Sequence, residues 1–160
     1  MPLCEAEALI ELLKSRSRTV STAESCTGGL IGGAITSVPG ASSVYPGGAV
    51  TYSNDSKMKL LGVRGETLAK HGAVSEETAR EMAEGVRKLY GSNTAIAVTG
   101  IAGPGGATPE KPVGLVYIAV ADGPRVVVSR NVFSGDRSSV REQTVREACI
   151  LLKELLEGVL

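Results

Sequence analysis

Apolar positions along this 160-residue chain follow two rhythms, one helical and one extended, and the places where they change over mark out the elements. From Glu5 to Arg16, Leu9, Ile10, Leu12 and Leu13 share one side of a helix, with Lys14 and Arg16 near its C-terminal end. Thr19 to Ala23 reads as a short strand. Gly28 to Ser37, small and apolar throughout, reads as a closely packed helix that Pro39-Gly40 ends. After a loop through Val44-Tyr45-Pro46-Gly47-Gly48, Ala49 to Tyr52 is a strand with Ser53-Asn54 as its exit. Asn54 is a good N-cap for a helix from Asp55 to Leu61, which Gly62 stops.

Glu66 to Lys70 makes a short helical turn before His71-Gly72. Ser75 caps a longer helix from Thr78 to Tyr90, with Glu76 and Glu77 in its first turn, Arg87 and Lys88 in its last, and Gly91 as terminator. Thr94 to Thr99 is wholly apolar or β-branched and reads as a buried strand. Val113 to Ala121 and Arg125 to Phe133 are β-rich and joined by Asp122-Gly123-Pro124, a hairpin signal. Ser138 to Leu156 closes the chain as a helix with Val140, Thr144, Ala148, Leu151, Leu152 and Leu155 on its buried face. Strands alternate with helices early and pair as a hairpin late. The expected fold is therefore α/β, a three-layer α/β/α sandwich on a mixed, partly antiparallel sheet, with residues 1–160 forming one domain.

Charge and composition narrow the range of partners. Lys and Arg number 17, Asp and Glu also 17, with no run of like sign, so there is no electrostatic footprint for nucleic acid or an anionic membrane surface. Aromatic residues make up 3% and tryptophan is absent, which argues against base-stacking platforms and large aromatic interfaces and leaves a small molecule as the expected ligand. Cys4, Cys26 and Cys149 are odd in number and scattered, so neither a disulfide framework nor a zinc knuckle is indicated and a reducing cytoplasm is the expected setting. Glu5, Glu7 and Glu11 interrupt the N-terminal apolar residues, unlike a signal peptide or a membrane span.

Candidate chemistry concentrates where the first strand breaks into small polar residues, Thr22-Ala23-Glu24-Ser25-Cys26-Thr27-Gly28-Gly29. A strand-to-helix turn lifts a side chain above the sheet end and leaves backbone N–H groups of the turn unpaired, here around Thr27, Gly28 and Gly29. A hydroxyl or thiol beside such donors is the minimum equipment for acyl transfer, with Ser25 and Cys26 as rival nucleophiles; a capped turn of purely structural meaning has the same sequence. Lys57, third in its helix if Asn54 is the cap, meets the positive end of the helix dipole and would give up its proton more readily, as a base must. Alternatively it lies in solvent beside Asp55.

His71 is the only histidine and sits at a helix end, so a histidine-rich metal site cannot be built, and a serine hydrolase on this chain would need a lysine base. The glycine-rich run Gly100 to Gly106 matches neither a P-loop nor GxGxxG, but Gly100 and Gly103 permit close backbone approach to a ligand. Arg137 and Arg141, four residues apart at the start of the last helix, can share a face suited to phosphate; the alternative is two exposed arginines.

Six ordered motifs resemble the CinA C-terminal family, which includes nicotinamide-nucleotide amidases. They are Ala23-Glu24-Ser25-Cys26-Thr27-Gly28-Gly29, Val50-Thr51-Tyr52-Ser53-Asn54 with Lys57 and Leu61-Gly62-Val63, His71-Gly72-Ala73-Val74-Ser75, Thr99-Gly100-Ile101-Ala102-Gly103-Pro104, Lys111-Pro112-Val113-Gly114, and Phe133-Ser134-Gly135-Asp136-Arg137. The resemblance spans about Val20 to Leu152. It implies a cytoplasmic enzyme, without metal or other cofactor, that converts nicotinamide mononucleotide to nicotinate mononucleotide and ammonia, with Ser25 as nucleophile and Lys57 as its base.

Around that pair the expected oxyanion- and substrate-binding set is Thr27, Gly28, Gly29, Tyr52, Gly100, Gly103, Arg137 and Arg141, and the resemblance makes a symmetric homo-oligomer the expected assembly. Two departures accompany it. The larger CinA proteins carry a further N-terminal domain, which makes this sequence look like the stand-alone form, and Val44-Tyr45-Pro46 stands where relatives often have an aromatic pair in one expected pocket wall. A catalytically silent nucleotide-binding or regulatory module on the same fold is the reading from another class, and possession of both Ser25 and Lys57 weighs against it.

Overall fold

The computed structural model describes residues 3–160. Its elements in chain order are α1 (Leu3–Ser15), β1 (Val20–Glu24), α2 (Leu30–Thr36), a 3-10 turn (Ala41–Ser43), β2 (Gly47–Val50), α3 (Asn54–Leu61), α4 (Gly65–His71), α5 (Glu76–Tyr90), β3 (Thr94–Gly100), β4 (Leu115–Asp122), β5 (Arg125–Val132) and α6 (Arg137–Leu156). The strands form one sheet in the order β2-β1-β3-β4-β5. β1 pairs in parallel with both β2 and β3, whereas β3, β4 and β5 pair antiparallel. The mixed sheet between two helical layers is the architecture expected from the sequence.

The layers follow from a segregation of side-chain size along the strands. On one face Val20, Ile96, Val98, Val116, Ile118 and Val120 meet the apolar sides of α1, α2 and α6. On the other, Ala23, Ala49, Ala95, Ala97, Ala119 and Ala121 meet Ala79, Met82, Ala83 and Val86 of α5. Period-two alternation puts bulk on the first face and methyl groups on the second, so α5 lies close against the sheet. Polar caps fix where the helices start: Ser53 Oγ accepts from the Ser56 amide, Ser75 Oγ from that of Thr78, and Asp136 Oδ1 from that of Ser139.

Several boundaries differ from those the sequence suggests, and each has a physical reason. α2 begins at Leu30 and not Gly28, because Gly28 (φ 58°) and Gly29 (φ 109°) are in backbone conformations that a right-handed helix does not use. β2 runs over Gly47–Val50 and not Ala49–Tyr52; its register is set by Ser21 against Gly47 through Glu24 against Val50, which leaves Thr51 and Tyr52 beyond the sheet. Asn54 is the first residue of α3, and Ser53 is its cap.

β1 leaves the sheet through α2 toward the bulky face, and β2 leaves through α3 to α5 toward the alanine face. A crevice opens where neighbouring parallel strands send their connections to opposite sides, and ligands of such sheets bind at the carboxyl ends there. None of the described helices is long and apolar enough to cross a membrane.

Candidate active site

β1 ends at Glu24, so Ser25 is the first residue past the sheet, and its amide still donates to the Val98 carbonyl of β3 at 3.1 Å. Thr51 holds the same position beyond β2, where its amide donates to the Glu24 carbonyl at 2.8 Å. α3 then brings Lys57 back under this edge. Lys57 Nζ donates to the Thr51 carbonyl at 2.7 Å and to Ser25 Oγ at 2.9 Å. Lys57 is only 1% exposed, and burial lowers its pKa below the ordinary lysine value, with Cys26 acting weakly in the opposite sense.

The helix dipole acts on Lys57 less than a cap at Asn54 would imply. With Ser53 as the cap, Lys57 is the fourth helical residue, and its own amide already donates to the Ser53 carbonyl at 3.1 Å. Desolvation is the dominant cause. Nor does Lys57 lie in solvent beside Asp55, because Asp55 pairs with the exposed Lys59 at 3.0 Å.

Ser25 and Lys57 sit at the floor of a cleft of about 180 Å³, whose walls include Tyr52, Val74, Thr99, Gly100 and Arg137. Tyr52 is 64% exposed, and its hydroxyl accepts from Arg137 Nη2 at 3.2 Å. Arg137 Nη1 donates to the Gly103 carbonyl at 2.8 Å, which ties the β3–β4 loop to the start of α6. Gly100 lies at the end of β3, where a Cβ would run into Val116, so this wall can only be bare backbone.

The other expected contacts fall behind this surface. Thr27, Gly28, Gly29, Gly103 and Arg141 are not among the residues that line the cleft. Arg141 does not stand beside Arg137 facing a ligand: its Nε donates to the Cys26 carbonyl and its Nη2 to that of Thr27, both at 3.1 Å. Cys26 does line the cleft, but burial pushes its thiol up to about 11, so it is protonated at neutral pH. Of the rival nucleophiles, only Ser25 touches the lysine. Tyr45, expected in a pocket wall, lies apart from the cleft lining and shares a hydrogen bond with Thr22 Oγ1 at 2.7 Å.

His71 Nδ1 stands 3.3 Å from Glu77 Oε2, and its carbonyl accepts from Lys111 Nζ at 2.7 Å, with the ring away from the cleft lining. Among the described residues no three His, Cys, Asp or Glu side chains gather as a metal ion would need. Reasoning from residue types missed two contributors. Thr99 lines the cleft at the end of β3, with its hydroxyl donating to the Ala73 carbonyl at 2.8 Å. Glu24 has a buried carboxylate that accepts from Thr27 Oγ1 and from the amides of Ile31 and Gly32. Its signal was its place directly before Ser25, where a charged residue ends an otherwise uncharged strand.

The helix-start donors at Ile31 and Gly32 are thus spent on Glu24. No backbone carbonyl accepts from the amides of Cys26 and Thr27 among the described residues, and the Cys26 amide bears on its own thiol. A hydroxyl in contact with a desolvated amine, beside such amides, can attack a carbonyl and receive the resulting oxyanion.

The CinA C-terminal domain family model matches residues 4–156. The CinA-like protein of Chloroherpeton thalassium is 53% identical over 99% of this chain and 38% of its own length. The chain spans between 34% and 38% of the length of the curated relatives it matches. A solved structure of competence/damage inducible protein CihA from Agrobacterium tumefaciens is 46% identical with a TM-score of 0.93, covering 96% of this chain and 94% of that one. A CinA superfamily protein from Klebsiella pneumoniae is 37% identical with a TM-score of 0.96, covering 99% of each chain.

Proposed function

The chain belongs to the CinA C-terminal domain family, and from that premise we propose that it is an amidase that hydrolyses the carboxamide of nicotinamide mononucleotide to nicotinate mononucleotide and ammonia. The observation that carries this reading is the 2.9 Å contact between Lys57 Nζ and Ser25 Oγ on the floor of the cleft. A module that only binds a nucleotide has no use for a lysine that is 1% exposed and turned onto a serine hydroxyl.

Neutral Lys57 takes the proton of Ser25 as Oγ bonds to the carboxamide carbon. The carbonyl oxygen becomes an oxyanion facing the turn, where the amide of Cys26, a residue that lines the cleft, is the candidate donor. Collapse of this intermediate breaks the C–N bond, and Lys57 hands its proton to the departing nitrogen, which leaves as ammonia. Water, deprotonated by the same amine, then attacks the acyl ester and restores Ser25 while releasing the carboxylate.

Binding of the remainder of the substrate falls to the rim. Tyr52 offers an exposed ring to a cationic pyridinium, and Arg137 offers a guanidinium to the phosphate. The reading includes a cytoplasmic setting, a symmetric homo-oligomer testable by sedimentation, and no cofactor. Ammonia release from a panel of nicotinamide mononucleotide, nicotinamide riboside, free nicotinamide and unrelated amides tests it. The mononucleotide should be hydrolysed fastest; equal rates for free nicotinamide, or no release from any pyridine amide, would overturn the substrate assignment.

A further inference from the structure

Glu24 takes no part in the reaction just described, yet its carboxylate is 2% exposed and its partners are neutral donors. Oε1 accepts from Thr27 Oγ1 at 2.6 Å and from the Ile31 amide at 2.8 Å, and Oε2 accepts from the Gly32 amide at 3.0 Å. Helix caps are ordinarily local, supplied by a side chain at the cap position itself. At α2 that position is Gly29, with φ 109° and no side chain to offer. The cap therefore arrives from the last residue of β1, and every residue between, Ser25 to Gly29, is enclosed by the bonds that join strand end to helix start.

The main chain of Glu24 reaches the base as well. Its carbonyl accepts from the Thr51 amide at 2.8 Å, and the Thr51 carbonyl accepts from Lys57 Nζ at 2.7 Å. One residue thus ties both catalytic groups to the end of β1. On the far side of the turn, Arg141 holds the carbonyls of Cys26 and Thr27. Donors of the helix start are consumed by an anion and acceptors of the turn by a cation, which leaves the turn little freedom.

We propose that the Glu24 carboxylate is a positioning residue for Ser25: it holds the turn in the conformation that sets Ser25 Oγ against Lys57 Nζ. Both carboxylate oxygens are needed. A carboxamide there would turn an N–H toward the Gly32 or Ile31 amide and loosen one end of the turn.

The test compares wild type, Glu24→Gln and Thr27→Val in two assays. One is ammonia release from nicotinamide mononucleotide, which rests on the amidase reading. The other is the rate at which phenylmethylsulfonyl fluoride sulfonylates Ser25, followed by intact mass, which does not. Misplacement of a nucleophile by a fraction of an ångström to an ångström costs about 100-fold, so Glu24→Gln should lower kcat per folded molecule and the labelling rate by about that factor, with KM changed far less. Thr27→Val, which removes one donor to a charged acceptor, should lower both by about tenfold.

A role in stability alone would lower the folded fraction but leave kcat and labelling per folded molecule at wild-type values, and that result overturns the proposal. If Glu24→Gln does not fold, unchanged kcat and labelling in Thr27→Val overturn it equally. A wild type that is sulfonylated at Ser25 but releases no ammonia refutes the substrate and leaves the labelling comparison decisive. Absence of wild-type labelling at Ser25 overturns the positioning role itself.

Discussion

Lys57 Nζ lies 2.9 Å from Ser25 Oγ, although the two residues belong to different crossovers and 32 positions separate them. The contact exists because both strands end at one level. Glu24 pairs with Val50, so Ser25 and Thr51 emerge side by side, and the Thr51 carbonyl becomes the anchor that aims the amine. Desolvation at this spot disfavours the ammonium, which is what a serine needs from a base at neutral pH.

A dependence on pH follows directly. The reactive form is the neutral amine, so kcat/KM should rise with pH along a single limb and level off below the ordinary lysine value of 10.5. A limb centred at or above 10.5 would indicate that no desolvated lysine controls the reaction. The same shift has a consequence for stability. The folded pKa lies below the unfolded one, so between them the unfolded chain holds more protons and stability gains with rising pH. The stability of wild type relative to Lys57→Met should therefore improve as pH rises through that window; a difference that is constant or shrinks would mean that Lys57 stays charged in the folded protein.

Thiol and imidazole chemistry should be dispensable. Cys26 is a buried thiol pushed up to about 11 that packs into the core, and His71 is engaged with Glu77. Cys26→Ala and His71→Asn should retain most of the wild-type turnover, and a chelator should leave it unchanged. Loss of activity on chelation that zinc restores would replace the lysine-base mechanism with a metal-assisted one.

Two arginines one helical turn apart should behave differently. Arg137 lines the cleft and Arg141 holds the carbonyls of the turn. A charge-assisted hydrogen bond is worth about 1.5–3 kcal/mol, so Arg137→Ala should weaken hydrolysis of the mononucleotide by about one to two powers of ten while changing that of the riboside much less. Arg141→Ala should depress both substrates by the same factor. A phosphate-selective loss in Arg141→Ala alone would reverse the assignment.

Periodicity disclosed the layers because this fold writes them plainly: Ile96 and Val98 alternate with Ala95 and Ala97, and α5 has a serine cap, acids in its first turn and bases in its last. Ser25 and Lys57 could be singled out because strand-to-helix turns and elimination of histidine leave few alternatives. Tertiary relations were not legible. Whether Asn54 or Ser53 caps α3 is decided by where Thr51 leaves the sheet, and the roles of Arg137 and Arg141 diverge because one faces Gly103 and the other the Cys26 carbonyl. Glu24 escaped notice since its cap spans residues 24 to 32, well beyond the local pattern that marks Ser53, Ser75 and Asp136.

The most direct test is ammonia release from nicotinamide mononucleotide by wild type, Ser25→Ala and Lys57→Met, each shown to be folded. Wild type should turn over, and each variant should lose several orders of magnitude in kcat, as removal of a nucleophile or its base does in other hydrolases, with the double variant scarcely worse than either alone. Wild-type turnover in folded Ser25→Ala would contradict the Ser25–Lys57 mechanism outright.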